Sequence, residues 1–292
     1  MLTRDVDIRE LSWSSQQAFR YCEKITYDHY ENFPVASMFI PKDRRKYICA
    51  LYAFARTADD FADEPGLTPA ERVESLNSWE ERLNECVSGN AHDPVFIALA
   101  ETVDRFQIPV ELFRNLLQAF RQDVTVHRYE TFDDVLQYCR NSANPVGRLV
   151  LLLFNYRSDT MFHLSDSICT ALQLTNFWQD IRIDVDRDRV YLPREDMREF
   201  GCGEEELLSK KFTPRFRHLL SFEVDRTKDL FIQGKPLLSD VGKDLSLELR
   251  MTWNGGMRIL ERIEQSDFNV FRLRPKLTPL DKIRLFFTSL LT

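Results

Sequence analysis

The stretch whose reading decides the fold is Tyr47–Glu64, YICALYAFARTADDFADE. Through Ala58 nearly every residue is apolar or aromatic, so a helix here has no wet face and must be buried on most sides. Acids then close it. Asp59 and Asp63 are four residues apart, which places them on one face with Cβ atoms about 5–6 Å from each other. Three and seven residues before Asp59 on that face stand Arg56 and Tyr52. Glu64-Pro65-Gly66 ends the helix, so the acids occupy its last turn, where the macrodipole is already negative and each further anion costs about 0.3–1 kcal/mol. Some cation must offset that cost. Alone, the acidic end reads as a solvated patch; the apolar run before it argues against that reading.

A second segment, Ser167–Asp186, SICTALQLTNFWQDIRIDVD, repeats the arrangement. Ile168, Ala171, Leu172, Leu174, Phe177, Trp178, Ile181 and Ile183 fill most of the circumference, so this helix is central too. Its polar exceptions, Gln173, Asn176, Asp180 and Asp184, are spaced three, four and four, a single line down one face. Buried carboxylates are costly unless paired or metal-bound. Two helices that each offer an Asp pair suit a hard divalent cation, with room left for water and a substrate phosphate. The expectation is therefore Mg²⁺ with a diphosphate, held by Asp59, Asp63, Asp180 and Asp184, with Arg56 as countercharge to the phosphate oxygens. No histidine has Glu three residues before it, which argues against a di-iron bundle.

The rest of the chain agrees with an all-α reading. Nine Gly in 292 residues, with segments rich in Leu, Ala, Glu and Arg, favour helices. Pro and Gly punctuation divides the chain into about ten helices, over 42–64, 68–87, 94–106, 109–126, 131–156, 163–185, 203–210, 213–233, 239–265 and 278–291. With short connections these describe one helical-bundle domain, residues 1–292. Thr68-Pro69-Ala70-Glu71 reads as an N-cap with Pro in the first turn and a capping-box acid. Asn144-Pro145 and Gly147 mark a kink where helices approach closely. The formal charge of -7 and the absence of a dense basic block argue against a nucleic-acid partner. Six cysteines without metal or CxxC spacing read as reduced, mostly buried thiols of a cytoplasmic protein. No apolar run is long enough to span a bilayer; the apolar segment Leu280–Leu291 is expected to pack on the bundle, and Arg272, Arg274 and Lys276 to be solvated.

At the two acidic stripes the sequence resembles the squalene/phytoene synthase family of all-α, class I isoprenoid synthases. The match runs from His29-Tyr30-Glu31-Asn32-Phe33-Pro34 through Tyr52–Arg56, Asp59–Asp63, Tyr138, Leu172–Asn176 and Asp180–Asp184 to Asp188–Pro193, DRVYLP. Within the family, HYENFPVAS, YAFARTADDFADE, AFRQD and CRNSANPVGRLVL look most like the bacterial hydroxysqualene synthases. Ile183 and Asn144-Pro145-Val146-Gly147 depart from the phytoene-synthase pattern. Gln179 stands where some relatives use a diphosphate-binding Arg.

The resemblance implies a central apolar cavity and a Mg²⁺-dependent lyase of squalene and hopanoid biosynthesis. Presqualene diphosphate would ionise, rearrange and capture water to give hydroxysqualene. It further implies Tyr52, Arg56 and Tyr138 as catalytic residues, and His29, Phe33, Gln173, Asn176, Arg189 and Tyr191 as substrate-binding ones. His29 reads equally as a satisfied polar residue, and Arg189 and Tyr191 nearly as well as surface loop. Condensation of two prenyl diphosphates, as in presqualene diphosphate, squalene or phytoene synthases, is the close alternative; a non-catalytic assembly factor of the same fold is the distant one. The implied partners are the isoprenoid diphosphate, a presqualene diphosphate synthase that hands it over, and peripheral contact at the inner face of the membrane.

Overall fold

In the computed structural model, which describes residues 13–28 and 40–291, the apolar run at Tyr47 is the interior of α2, Lys42–Asp63. Ala50, Ala53, Phe54 and Ala58 are fully buried. The Phe54 ring packs against Trp79, Phe96 and Phe113, aromatic contacts that add about 0.5–1.5 kcal/mol each beyond area burial. Fourteen α-helices make up the described residues, with a single isolated bridge, Arg128 to Val190, as the β-type pairing among them. The all-α expectation holds.

The described residues divide into two compact units. One takes those up to Val124 together with Leu149–Tyr156; the other takes Thr125–Arg148 and those from Arg157 onward. In the first, α2 packs with α1 (Ser15–Asp28), α3 (Pro69–Val87) and α4 (Pro94–Phe106). Thr68 caps α3 as its sequence requires: its side chain accepts from Glu71 N, and the Glu71 carboxylate accepts from Thr68 N at 2.8 Å. Helix α1 was not foreseen, because its apolar residues are few. It buries only Ala18, Phe19, Cys22 and Thr26; the one sequence signal for it is the Ser14–Gln17 cap, where Ser14 Oγ accepts from Gln17 N at 3.3 Å and Gln17 Oε1 from Ser14 N at 2.9 Å. α5 is Glu111–Thr125.

The predicted helix 131–156 is two, α6 (Phe132–Ser142) and α7 (Asn144–Leu153). The break falls at Ala143, just before Asn144-Pro145; Pro has no N–H to continue the ladder. Asn144 Oδ1 accepts from Thr170 Oγ1 at 2.9 Å, which fastens the break to α8 (Asp159–Asp186). The close approach expected at Gly147 is present: a Cβ there would lie 2.4 Å from Ser165 Oγ and 2.5 Å from Cys169 Sγ. After α8 come α9 (Arg194–Glu199), too short to show a period in sequence, and α10 (Glu204–Leu208). They are followed by α11 (Pro214–Gly234), α12 (Leu237–Asp240), α13 (Lys243–Gln265) and α14 (Pro279–Leu291). α11 and α13 pack on α8, and α14 on α13. Trp178, fully buried on α8, donates Nε1 to Thr227 Oγ1 of α11 at 2.8 Å. All six cysteines are free thiols, five of them buried. No described helix is long and apolar enough to cross a membrane.

Candidate active site

The first acidic stripe ends α2 in the first unit. The cation that the helix dipole calls for is Arg56 itself. Its Nη1 donates to Asp59 Oδ2 at 3.1 Å and its Nη2 pairs with Asp60 Oδ1. From α3, Arg72 Nη1 donates to the last-turn carbonyl of Ala62 at 3.2 Å. Arg56 thus spans Asp59 and Asp60, so Asp60 belongs to the cluster more closely than the Asp59–Asp63 spacing suggests. Among the described residues, Arg56 Nε is buried with no hydrogen-bond partner. Burial raises the Tyr52 hydroxyl above its usual range, with Asp59 and Asp60 adding to the effect against Arg56. Tyr52 is therefore a neutral O–H at physiological pH.

The second stripe lies on α8 in the other unit. Gln173, Asp180 and Asp184 are half-buried and Asn176 is exposed. Burial pushes the Asp184 carboxyl up to about 7, reinforced by the Asp180 charge one turn away and opposed by Arg189, Arg187 and Arg274. A chain segment arriving from α13 meets this stripe. Arg274 Nη2 donates to Asp180 Oδ2 at 2.8 Å while its Nε pairs with Oδ1. Gln179 Nε2 donates to the Pro275 carbonyl, and Arg182 Nη1 to the Phe271 carbonyl at 3.1 Å. This corrects the sequence expectation for Arg274. It is half-buried and forks a site carboxylate, a bidentate charge-assisted pairing that fixes the geometry of both groups. Gln179, where some relatives use an Arg, is buried and holds the backbone beside Arg274.

DRVYLP follows α8 through a tight turn at Asp188, whose φ is 58°. Arg128 clamps the turn, donating Nη2 to Asp188 Oδ1 and Nε to Glu204 Oε1, each at 2.6 Å. Val190 N donates to the His127 carbonyl at 2.9 Å. The strip is thereby fixed, and Tyr191 is not a loose surface residue. Its ring stacks on Phe177 at 3.7 Å between centroids and 9° between planes. Tyr129 stacks on its ring at 5.7 Å, and Tyr138 lies 5.8 Å from Phe177 and 6.1 Å from Tyr191. A small pocket lined by Phe177, Ile181, Asp184, Arg189 and Tyr191 adjoins this cluster.

The structure thus brings Tyr138, Tyr191, Arg189 and the Asp180–Asp184 stripe into one unit, and Tyr52, Arg56, Asp59 and Asp63 into the other. His29 and Phe33 lie outside the described residues. Among the described residues no three Asp, Glu, His or Cys side chains gather as a metal cluster. Each stripe offers an Asp pair of hard oxygen donors, the chemistry Mg²⁺ requires. Sequence reasoning missed Phe177, Tyr129 and Arg274. Phe177 had a signal: it stands three residues before Asp180 and seven before Asp184, on the stripe's own face.

Known proteins share this architecture. The solved structure of squalene synthase HpnC from Alicyclobacillus acidocaldarius is 37% identical, with a TM-score of 0.84 over 90% of this chain and 98% of that one. A dehydrosqualene synthase solved in complex with a ligand is 26% identical, with the same TM-score over 94% and 96%. The 15-cis-phytoene synthase of Synechococcus elongatus is 28% identical over 273 residues, 89% of this chain and 88% of the relative. The fold is that of class I isoprenoid synthases. The squalene/phytoene synthase family profile matches residues 27–281, and the chain belongs to that family, whose enzymes act on isoprenoid diphosphates in head-to-head condensation.

Proposed function

We propose that this protein is a hydroxysqualene synthase of squalene and hopanoid biosynthesis, its two units working as one synthase domain. It converts presqualene diphosphate and water into hydroxysqualene and diphosphate: a C–O bond to the diphosphate breaks, the cyclopropylcarbinyl cation rearranges, and water adds to it with loss of a proton. The observation that carries the reading is the join on α8 between an Asp pair and an aromatic wall, Asp180 and Asp184 with Phe177, Tyr191, Tyr138 and Tyr129. A polar anchor for a diphosphate beside aromatic faces that favour a cation is what ionisation of a cyclopropylcarbinyl diphosphate needs.

Asp59, Asp63, Asp180 and Asp184 are the proposed Mg²⁺ ligands, and the bound ions would supply Lewis-acid stabilisation of the departing diphosphate. Arg56 is the proposed countercharge to the phosphate oxygens, and Arg189 adds a second charge. Gln173 and Asn176 orient the diphosphate end, His29 and Phe33 complete the substrate contacts, and Tyr52 and Tyr138 are the proposed catalytic tyrosines. The departures from the phytoene-synthase pattern at Ile183 and Asn144–Gly147 support hydroxysqualene as product, and the 37% identity to an enzyme named squalene synthase HpnC supports the squalene branch of the family. The phytoene synthase names among the relatives favour a second reading, condensation of two prenyl diphosphates. The substrate would be handed over by a presqualene diphosphate synthase to a cytoplasmic protein in peripheral contact with the inner face of the membrane.

Incubation with Mg²⁺ and either presqualene diphosphate or farnesyl diphosphate, without NADPH, followed by mass spectrometry of the lipid, tests the proposal. Hydroxysqualene from presqualene diphosphate alone is the expected result; turnover of farnesyl diphosphate alone would overturn it.

A further inference from the structure

We propose that the outer face of residues 272–284 is the docking surface for an anionic lipid bilayer. The inference deepens the membrane contact proposed above by naming the residues that make it. Among the described residues the two most exposed large apolar side chains are Leu273 and Leu280, each 74% exposed, ahead of Ile232 at 58%. They lie seven residues apart on one segment. Around them Arg272, Lys276, Lys282 and Arg284 are all exposed.

The segment's acid does not face outward. Asp281 is 5% exposed and is taken up by Arg258 Nε at 2.8 Å, Arg262 Nη2 at 2.6 Å and Thr278 N at 2.8 Å. The exposed side chains of this segment therefore include four cations and two leucines and no carboxylate, on a chain whose net charge is -7; Glu261, an exposed acid that shares Arg258 with Asp281, is paired with it at 2.6 Å. This composition is complementary to a surface that is anionic in its headgroups and apolar beneath them.

The presentation is held by the inner side of the same segment. Arg182 grips the Phe271 carbonyl, Gln179 grips the Pro275 carbonyl and Arg274 forks Asp180. Leu273 projects from a backbone fastened on both sides, so its exposure is a feature of a fixed surface. Because the chain as a whole is acidic, attraction to an anionic bilayer must act at short range, within a Debye length of about 8–10 Å at moderate salt.

The test is co-sedimentation of the full chain with vesicles, read without substrate so that its outcome is separate from the catalytic reading. Vesicles of phosphatidylcholine alone are compared with vesicles that also contain phosphatidylglycerol. Binding is expected to the anionic vesicles and to fall as salt is raised. Arg272→Gln/Lys276→Gln/Lys282→Gln should weaken it about a hundredfold, from about fivefold per charge. Leu273→Ser/Leu280→Ser should weaken it at least about tenfold. All these positions are exposed, and circular dichroism verifies that the variants fold. The proposal is overturned by no binding, by equal binding to neutral vesicles, or by binding that both variants leave unchanged; the last result would place the contact elsewhere on the chain. Retention on an acidic protein resin without vesicle binding would likewise replace the bilayer with a protein partner.

Discussion

Replacing Glu223 by Gln should make the protein gain stability relative to wild type as pH rises from about 5.5 to about 7.5. Glu223 on α11 is 0% exposed and shares one guanidinium with Asp196 of α9. Arg226 donates Nε to Glu223 Oε2 at 2.8 Å, Nη2 to Glu223 Oε1 at 2.7 Å and Nη2 to Asp196 Oδ2 at 2.6 Å. The guanidinium also lies 3.4 Å over the Phe132 ring. Two carboxyls against one cation leave a surplus negative charge in the core. Burial first, with Asp196 adding to it and Arg226 opposing, pushes the Glu223 carboxyl from its ordinary 4.5 up to about 8. Between those values the folded state holds a proton that the unfolded chain has released, so stability falls as pH rises through the window. The contribution is fully present below 4.5 and lost above about 8. At about 1.4 kcal/mol per unit, the two units from roughly pH 5.5 to roughly pH 7.5 remove about 2–3 kcal/mol. For a chain of this size, with about 2 °C of Tm per kcal/mol, that is about 4–6 °C.

Gln keeps the size and neutrality of the protonated acid but does not titrate, and its single acceptor oxygen takes one of the two Arg226 bonds, a loss that is the same at every pH. Thermal melts of wild type and Glu223→Gln, followed by circular dichroism at both pH values, isolate the Glu223–Asp196–Arg226 group, because titrations elsewhere cancel in the difference. The stability of the variant relative to wild type should rise by that margin from the lower pH to the higher. A gap that is equal at the two values, or that opens toward acid, would refute the reasoning.

Further outcomes follow from other contacts. Asp59→Asn and Asp180→Asn should each lower Mg²⁺-dependent diphosphate release by about 10²–10³, the loss typical of one electrostatic anchor; full activity in both would remove these residues from the site. On α13, Gly256→Ala should cost about 1–3 kcal/mol, because its Cβ would meet Phe231 Cζ at 2.4 Å and Leu172 Cδ2 at 2.9 Å. The neighbouring Gly255→Ala, with nothing within 4 Å of its Cβ, should stabilise by about 0.4–1 kcal/mol, and chemical denaturation reads both. Arg274→Gln removes the fork on Asp180, so hydrogen exchange across residues 271–278 should quicken; exchange as slow as in wild type would mean that Gln179 and Arg182 alone hold the segment.

What the sequence shows and what it conceals separate along physical lines. Periodicity is local, and the features that depend on it were legible. The helix at Tyr47 has no polar face to offer, and Gln173, Asn176, Asp180 and Asp184 are visible as one line because a 3.6-residue repeat aligns them. The Thr68 cap was legible for the same reason, since its two hydrogen bonds close within three residues. Helix α1 escaped because four buried residues in fourteen give a weak stripe, and α9 because six residues do not complete two turns.

The polar interior was not legible, and the reason is separation along the chain. Arg274 in RLRPK looks like any solvated basic cluster until the fold brings it to Asp180, 94 residues earlier. Arg226 and Asp196 are 30 residues apart, and nothing in FEVDRT shows that Glu223 is its most deeply buried acid. In each case a charged side chain is found inside because tertiary packing supplied a partner, and the composition of the surrounding sequence carries no trace of that partner. Tyr191 combines the two situations. The family motif marked it, but its role as one face of an aromatic wall depends on Phe177, which read as ordinary core filler on a helix crowded with apolar residues. The decisive clue was register: a ring three residues before one stripe acid and seven before the other shares their face, so the apolar and anionic parts of the candidate site are written on the same side of one helix.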